Sequence, residues 1–146
     1  DFNEKKEFAK ITITGDCFPK MHGYQKLLSL LFHHLIDNAI KFRKEDTCVS
    51  IVISCKGEDG EKIENPAAFK GSRYNVISIS DDGIGFDGKH VESIFKLFTR
   101  LNEKHRYKGS GIGLAVCKKI MDLHHGFINA ESTEGEGTIF HCYFPS

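Results

Sequence analysis

Gly109-Ser110-Gly111-Ile112-Gly113 runs directly into a helical pattern that continues from Leu114 to His124. Three glycines at alternate positions let a backbone approach a bound group closely, and a helix starting beside them presents unpaired N–H groups and a positive dipole end. That combination suits an anion, above all a phosphate. The spacing lacks the later glycine of the dinucleotide fingerprint, and no Gly-Lys-Ser/Thr occurs to make a P-loop. Both common nucleotide folds are therefore disfavoured. Taken alone, the run reads equally well as a flexible loop that caps a helix, so the surrounding segments have to decide.

Composition narrows the choice. The chain has 146 residues, 40% hydrophobic and 27% charged, which suits one globular domain with a real core. Twenty basic residues balance twenty acidic ones, so net charge argues for neither nucleic acid nor an anionic membrane as partner. The five cysteines (Cys17, Cys48, Cys55, Cys117, Cys142) are odd in number and form no C-x-x-C pair, against both a disulfide framework and a cysteine zinc site. A reducing, cytoplasmic compartment fits. No apolar run approaches the roughly 20 residues of a membrane span, and no signal-peptide core opens the chain. The expectation is a domain with no direct membrane contact, whatever anchors a longer parent protein.

Working outward from the glycine run, Phe8 to Thr14 alternates as a strand and stops at Gly15-Asp16. Tyr24 to Phe42 reads as a long helix. Thr47 to Lys56 and Arg73 to Ser80 are β-branched strand candidates, separated by a polar loop from Gly57 to Ser72. His90 to Phe98 sets Val91, Ile94, Phe95 and Phe98 at helical spacing, and Gly126 is placed to end the helix that follows the glycine run. Phe127 to Glu131 and Thr138 to Phe144 close the chain as strands joined through Glu134-Gly135-Glu136-Gly137. The pattern predicts a two-layer α/β (α+β) sandwich, with a mixed, mainly antiparallel sheet covered on one face by helices.

Three segments carry chemistry. On the first helix, Leu28, Phe32, Leu35 and Ala39 form an apolar stripe, while His34, Asn38 and Lys41 gather on another face. An amide oxygen can ligate a hard divalent cation, and an ammonium one turn later can reach a phosphate; a solvated helix face is the plainer reading. Asp81-Asp82-Gly83-Ile84-Gly85 follows directly on the strand ending at Ser80. A carboxylate there can accept the exocyclic amine of adenine, with glycines letting the base lie against the backbone; an ordinary Asp-Gly turn is the alternative. Finally, Phe86 to Lys108 carries six basic side chains (Lys89, Lys96, Arg100, Lys104, Arg106, Lys108) against Asp87, Glu92 and Glu103. A basic flap ending in a glycine run can cover a polyphosphate.

Taken in order, these segments resemble the ATP-binding catalytic domain of two-component sensor histidine kinases, within the group shared with gyrase, Hsp90 and MutL. His34 to Phe42 is similar to the family's asparagine box, Asp81 to Gly85 to its first glycine box, and Ile94 to Phe98 to its phenylalanine box. Gly109 to Leu114 is similar to the second glycine box, and Gly135 to Phe140 to the final glycine-containing strand. The resemblance covers nearly the whole chain and implies the Bergerat fold.

It also implies roles. Asn38 would hold Mg²⁺, Lys41 would contact phosphates, Phe42 would help wall the adenine pocket, and Asp81 would bind the adenine amine. Gly83 and Gly85 would admit the base, and Thr138 would line its side. Residues 86–108 would form an ATP lid; Lys108, Gly109, Ser110, Gly111, Ile112, Gly113 and Leu114 would lie on its phosphate side and hinge. The implied reaction is transfer of the γ-phosphoryl group of Mg-ATP to a histidine on a separate helical hairpin of the same parent, there a homodimer, with a response regulator downstream. Asn38 and Lys41 would be the catalytic positions, acting by positioning and charge neutralisation.

Two departures qualify this. His34 stands where the family usually has an Asn or an acid, and a neutral imidazole is a poorer Mg²⁺ ligand than an oxygen. Replacing His34 with Asn is expected to tighten Mg-ATP binding; an unchanged affinity would count against His34 as the weak point of the metal site. None of the eight histidines sits in the setting of a phosphoacceptor hairpin. The expectation is a catalytic domain, residues 1–146, cut from a longer protein and showing little or no autophosphorylation alone. The alternative is a nucleotide-binding regulatory pseudokinase whose His34 marks impaired catalysis.

Overall fold

In the computed structural model, residues 8–15, 22–90, 93–95 and 113–146 are described. Strand β1 (Ala9–Thr14) precedes helix α1 (Gln25–Lys41); β2 (Val49–Asp59) and β3 (Arg73–Asp81) follow; α2 (Gly113–Leu123), β4 (Phe127–Thr133) and β5 (Gly137–Pro145) complete the order. The strands form one sheet in the order β1-β2-β3-β5-β4. Among the described residues only the β1–β2 pair is parallel; β2–β3, β3–β5 and β4–β5 are antiparallel. The mixed, mainly antiparallel sheet expected from the sequence is what forms.

Side-chain alternation decides which face the helices cover. Ile51, Ile77, Ile79, Phe140 and Cys142 project into one core with Leu31, Leu35, Ala39, Ile40, Cys117, Ile120 and Met121 of the two helices. On the other face a smaller cluster of Tyr74, Val76 and Phe127 is sheltered by Ile63, Ala68 and Tyr143. Burial on both faces explains why the adjacent residues Val76 and Ile77 of β3 are both buried.

The buried side of α1 is turned slightly from the expected stripe. Leu31, Leu35, Ile36, Ala39 and Ile40 are buried, whereas Leu28 and Phe32 are only partly buried against the core. The cause is α2, which lies beside α1: the Cys117 thiol points at the Leu31 carbonyl, with Sγ 3.8 Å from the oxygen. One face of α1 must meet the sheet and an adjoining face must meet α2, so its apolar arc is wider than one stripe.

Three boundaries move for local reasons. Strand β2 continues to Asp59, beyond the Lys56 limit read from the sequence, because Gly57, Glu58 and Asp59 pair with Asn75, Tyr74 and Arg73. A helix from His90 to Phe98 is not continuous among the described residues, which form single 3₁₀ turns at Gly88–His90 and Ser93–Phe95. The Ser93 hydroxyl donates to the His90 carbonyl at 2.9 Å, a side-chain bond that competes with a helical ladder; residues 91–92 and 96–98 lie outside the described residues. Helix α2 ends in a Schellman arrangement, with Gly126 N–H bonded to the Met121 carbonyl and His125 N–H to the Asp122 carbonyl. The left-handed residue is His125, at φ 60°, and not Gly126.

Candidate functional site

The C-terminal ends of α1 and β3 and the β4–β5 hairpin meet at one end of the sheet. The segment leaving β3 is stitched between them: Ile84 N–H donates to the Phe42 carbonyl at 2.8 Å, and Gly135 N–H donates to the Ile84 carbonyl at 2.7 Å. A few residues on, Phe86 N–H donates to Ser132 Oγ at 2.8 Å. The Ser132 hydroxyl proton goes to the Gly137 carbonyl at 2.8 Å. The buried Thr138 hydroxyl, 2.9 Å from Ser132 Oγ, must therefore be the donor in that pair.

This frame separates two adjacent carboxylates. Asp82 Oδ1 accepts the Ser50 N–H at 2.8 Å, which turns it to β2. Asp81 Oδ1 accepts the N–H of Gly83 at 2.9 Å. Burial pushes the Asp81 carboxyl above its usual range, partly opposed by the backbone of Gly83 and Thr138 and reinforced by the Asp82 charge. An acid held in this state at a strand end has strong acceptor capacity without a cationic partner. Gly83 is packed so closely that an added Cβ would meet the Phe42 carbonyl and come within 3.0 Å of Asp81 Oδ1. The strand end, the helix end and the glycine segment are thus held against one another, and Gly85 approaches the Thr133 backbone in the same way.

On α1, the half-buried Asn38 carboxamide has no hydrogen-bond partner among the described residues, while its main-chain oxygen accepts the N–H of Phe42. Lys41 Nζ lies 3.1 Å from Asp37 Oδ2, one turn back. A partly exposed pair of this kind is worth little, and the ammonium stays available to a stronger anion. His34 packs against the first residue of α2: a Cβ on Gly113 would lie 3.3 Å from its Nδ1. Desolvation, then the neighbouring His33, lowers the His34 pKa below 6.5; Asp37 raises it and Lys41 lowers it further. The imidazole is neutral near neutral pH.

Asn38, Lys41, Phe42, Asp81, Gly83, Gly85 and Thr138 thus belong to elements that converge, and Gly113 and Leu114 open α2 beside His34. Lys108, Gly109, Ser110, Gly111 and Ile112 lie outside the described residues, as do most positions of 86–108. From the phenylalanine-rich segment, Ile94 and Phe95 are buried in the core, with the Phe95 ring edge-on to Phe140 at 6.2 Å. Ser132 is the residue that the sequence reading missed. Its signal was the hairpin register, which sets Ser132 directly opposite Thr138 and makes a cross-strand hydroxyl pair beside the turn. Among the described residues no three His, Cys, Asp or Glu side chains gather to hold a metal ion.

The comparison with known proteins agrees with this geometry. Residues 23–146 match the family described as histidine kinase-, DNA gyrase B-, and HSP90-like ATPase. Cyanobacterial phytochrome A of Nostoc sp. is 39% identical over 133 residues, which are 91% of this chain and 16% of the relative. Phytochrome-like protein Cph1 of Synechocystis sp. is 35% identical over 145 residues, 99% of this chain and 18% of the relative. The chain therefore spans less than a fifth of either relative. Among solved structures, the catalytic domain of histidine kinase ThkA superposes with a TM-score of 0.71 at 24% identity, over 99% of this chain and 86% of that one. Full-length ShkA in complex with AMPPNP gives 0.73 at 19% identity, over 98% of this chain and 26% of that one. These two likenesses establish the shared fold. The chain belongs to the histidine kinase-, DNA gyrase B-, and HSP90-like ATPase family, as an ATP-binding catalytic domain of the sensor histidine kinase type.

Proposed function

We propose that residues 1–146 act as a catalytic unit that binds Mg-ATP where α1, β3 and the β4–β5 hairpin meet, and donates the γ-phosphoryl group to a histidine on a separate helical hairpin of its parent protein. The observation that supports this best is the pair of unequal carboxylates: Asp82 is engaged by the Ser50 backbone, while half-buried Asp81 carries a raised pKa beside a glycine packed against Phe42. In this reading Asp81 accepts the adenine amine, Gly83 and Gly85 lie beneath the base, and Phe42 and Thr138 flank it. Lys41 exchanges Asp37 for phosphate oxygens. Asn38 would hold Mg²⁺, which supplies charge neutralisation on the phosphates when bound.

The chain's own contribution is binding and orientation, with 86–108 as the ATP lid that the family pattern implies and Lys108 to Leu114 as its phosphate side. Catalysis by proximity needs the acceptor imidazole to be brought to the phosphoryl group, so the transfer is completed by the hairpin and its general base. A cytoplasmic setting, a dimeric parent and a downstream response regulator belong to the same reading.

Calorimetric titration of the chain with ATP and Mg²⁺ tests it. A hydrogen bond to a charged group contributes about 1.5–3 kcal/mol, so Asp81→Asn is expected to weaken ATP binding roughly 10- to 100-fold and to erode the preference for ATP over GTP, whose base offers a carbonyl in place of the amine. An Asp81→Asn variant that melts cooperatively and binds ATP as tightly as wild type would remove Asp81 from the adenine site. Mixing the chain with its parent's hairpin and radiolabelled ATP then separates a kinase from a regulatory pseudokinase: only the kinase labels the hairpin histidine.

A further inference from the structure

The sheet face turned away from the helices carries a polar arrangement that the nucleotide site does not use. Register sets Thr14, Ser54, Ser78, His141 and Asn129 in a single row across all five strands. Within it, Ser78 Oγ lies 2.7 Å from His141 Nδ1. The other ring nitrogen, Nε2, lies 3.1 Å from Glu131 Oε2, on the β4 side. Asn129 also belongs to β4, directly opposite His141. Its Oδ1 is buried and has no hydrogen-bond partner among the described residues. An unsatisfied buried acceptor costs about 1–3 kcal/mol, and this one belongs to the residue opposite His141 and two positions before Glu131 on β4.

We propose that His141 Nε2, Glu131 and Asn129 Oδ1 form a site for a borderline divalent transition metal, with Zn²⁺ as the representative ion, oriented by Ser78. Two ligand atoms on one zinc ion, each about 2.0–2.1 Å from it, are about 2.9–3.4 Å apart, and the Nε2 to Oε2 separation is 3.1 Å. A metal-bound imidazole donates its other N–H to a neighbouring oxygen, which fixes its tautomer and orientation; Ser78 Oγ stands in that position. The Ser78 hydroxyl can also donate, so it suits the free ring as well. Mixed imidazole and oxygen donors favour Zn²⁺ and its neighbours over Mg²⁺, which keeps this site chemically apart from the Mg-ATP site. The ion would bring to Asn129 Oδ1 the positive partner it lacks, with waters completing the shell.

The test is titration of the ¹⁵N-labelled chain with ZnCl₂ in the absence of nucleotide, following the histidine imidazole resonances. His141 Nε2 is expected to shift with saturation. Ser78→Ala should weaken binding about 10-fold, whereas Glu131→Gln, at a largely exposed side chain that leaves the fold intact, should weaken it more strongly. ATP affinity should be unchanged in both variants. If Zn²⁺ leaves the His141 resonances in place while other histidines or the exposed Cys48 respond, the proposal is wrong. It is equally wrong if Glu131→Gln takes up Zn²⁺ at His141 as tightly as wild type.

Discussion

Asp81 and Asp82 are chemically identical neighbours, and the protein treats them differently. Asp82 is an exposed acceptor for β2, whereas desolvation disfavours the charged form of Asp81. The folded Asp81 carboxyl holds its proton more tightly than the unfolded one, whose ordinary value is 3.8. Over the window from 3.8 up to the raised folded value, the native state binds more protons than the unfolded state, so stability falls as pH rises and stays lower above that window. Asp81→Asn removes this burden while keeping an oxygen for Gly83 N–H. The nucleotide-free variant should therefore melt at a higher temperature than wild type near pH 7, with the gap closing as pH falls below 3.8. Thermal melts across pH read this directly, and a variant less stable at pH 7 would show that Asp81 is stabilising. Higher stability joined to weaker ATP binding is what a functional residue held at a cost to the fold should show. The sequence marked both acids but could not rank them, because the difference arises from the Ser50 N–H, which lies on another strand and 32 positions away.

At the scale of elements, most of the architecture was legible. Seven strand and helix segments fell where alternation and helical spacing put them, because all but the exposed edge strand β1 bury a face against a common core. What moved were their ends, which depend on partners. The β4–β5 hairpin shows how strongly. Gly137 adopts φ 101°, and a Cβ there would collide with the Asp81 backbone; Gly135, at φ 81°, has open space around it. Both substitutions to Ala meet left-handed strain of about 1 kcal/mol, but only Gly137→Ala also forces the hairpin off the end of β3. Denaturant titration should show Gly135→Ala losing about 1 kcal/mol and Gly137→Ala at least twice that, with reduced nucleotide affinity only in the latter. Equal losses would mean that the close approach of the hairpin to Asp81 is easily relieved. Ser132 was hidden for the same reason: a serine in a strand is unremarkable until register places it between Phe86, Gly137 and Thr138.

Across the whole molecule, stability is concentrated where the two helices meet the sheet and thins toward the β1 edge. Leu35 is fully buried, whereas Ile13, on an edge strand, is 65% exposed. Leu35→Ala should cost about 2–5 kcal/mol and Ile13→Ala less than about 1 kcal/mol, measured by chemical denaturation. A comparable cost at Ile13 would reveal a second load on the edge strand. Among the described residues no helix is long and apolar enough to cross a membrane. The sequence by itself determined the layer architecture, the ordered boxes and the family, since periodicity and short motifs are local properties of the chain. Only the tertiary structure decided which carboxylate is desolvated, that Lys41 is paired with Asp37 while Asn38 has no hydrogen-bond partner among the described residues, that His34 rests against Gly113, and that Ser78, His141 and Glu131 meet on the far face with Asn129 opposite His141. Those facts depend on strand register and helix packing between residues far apart in the chain, and no spacing within one segment encodes them.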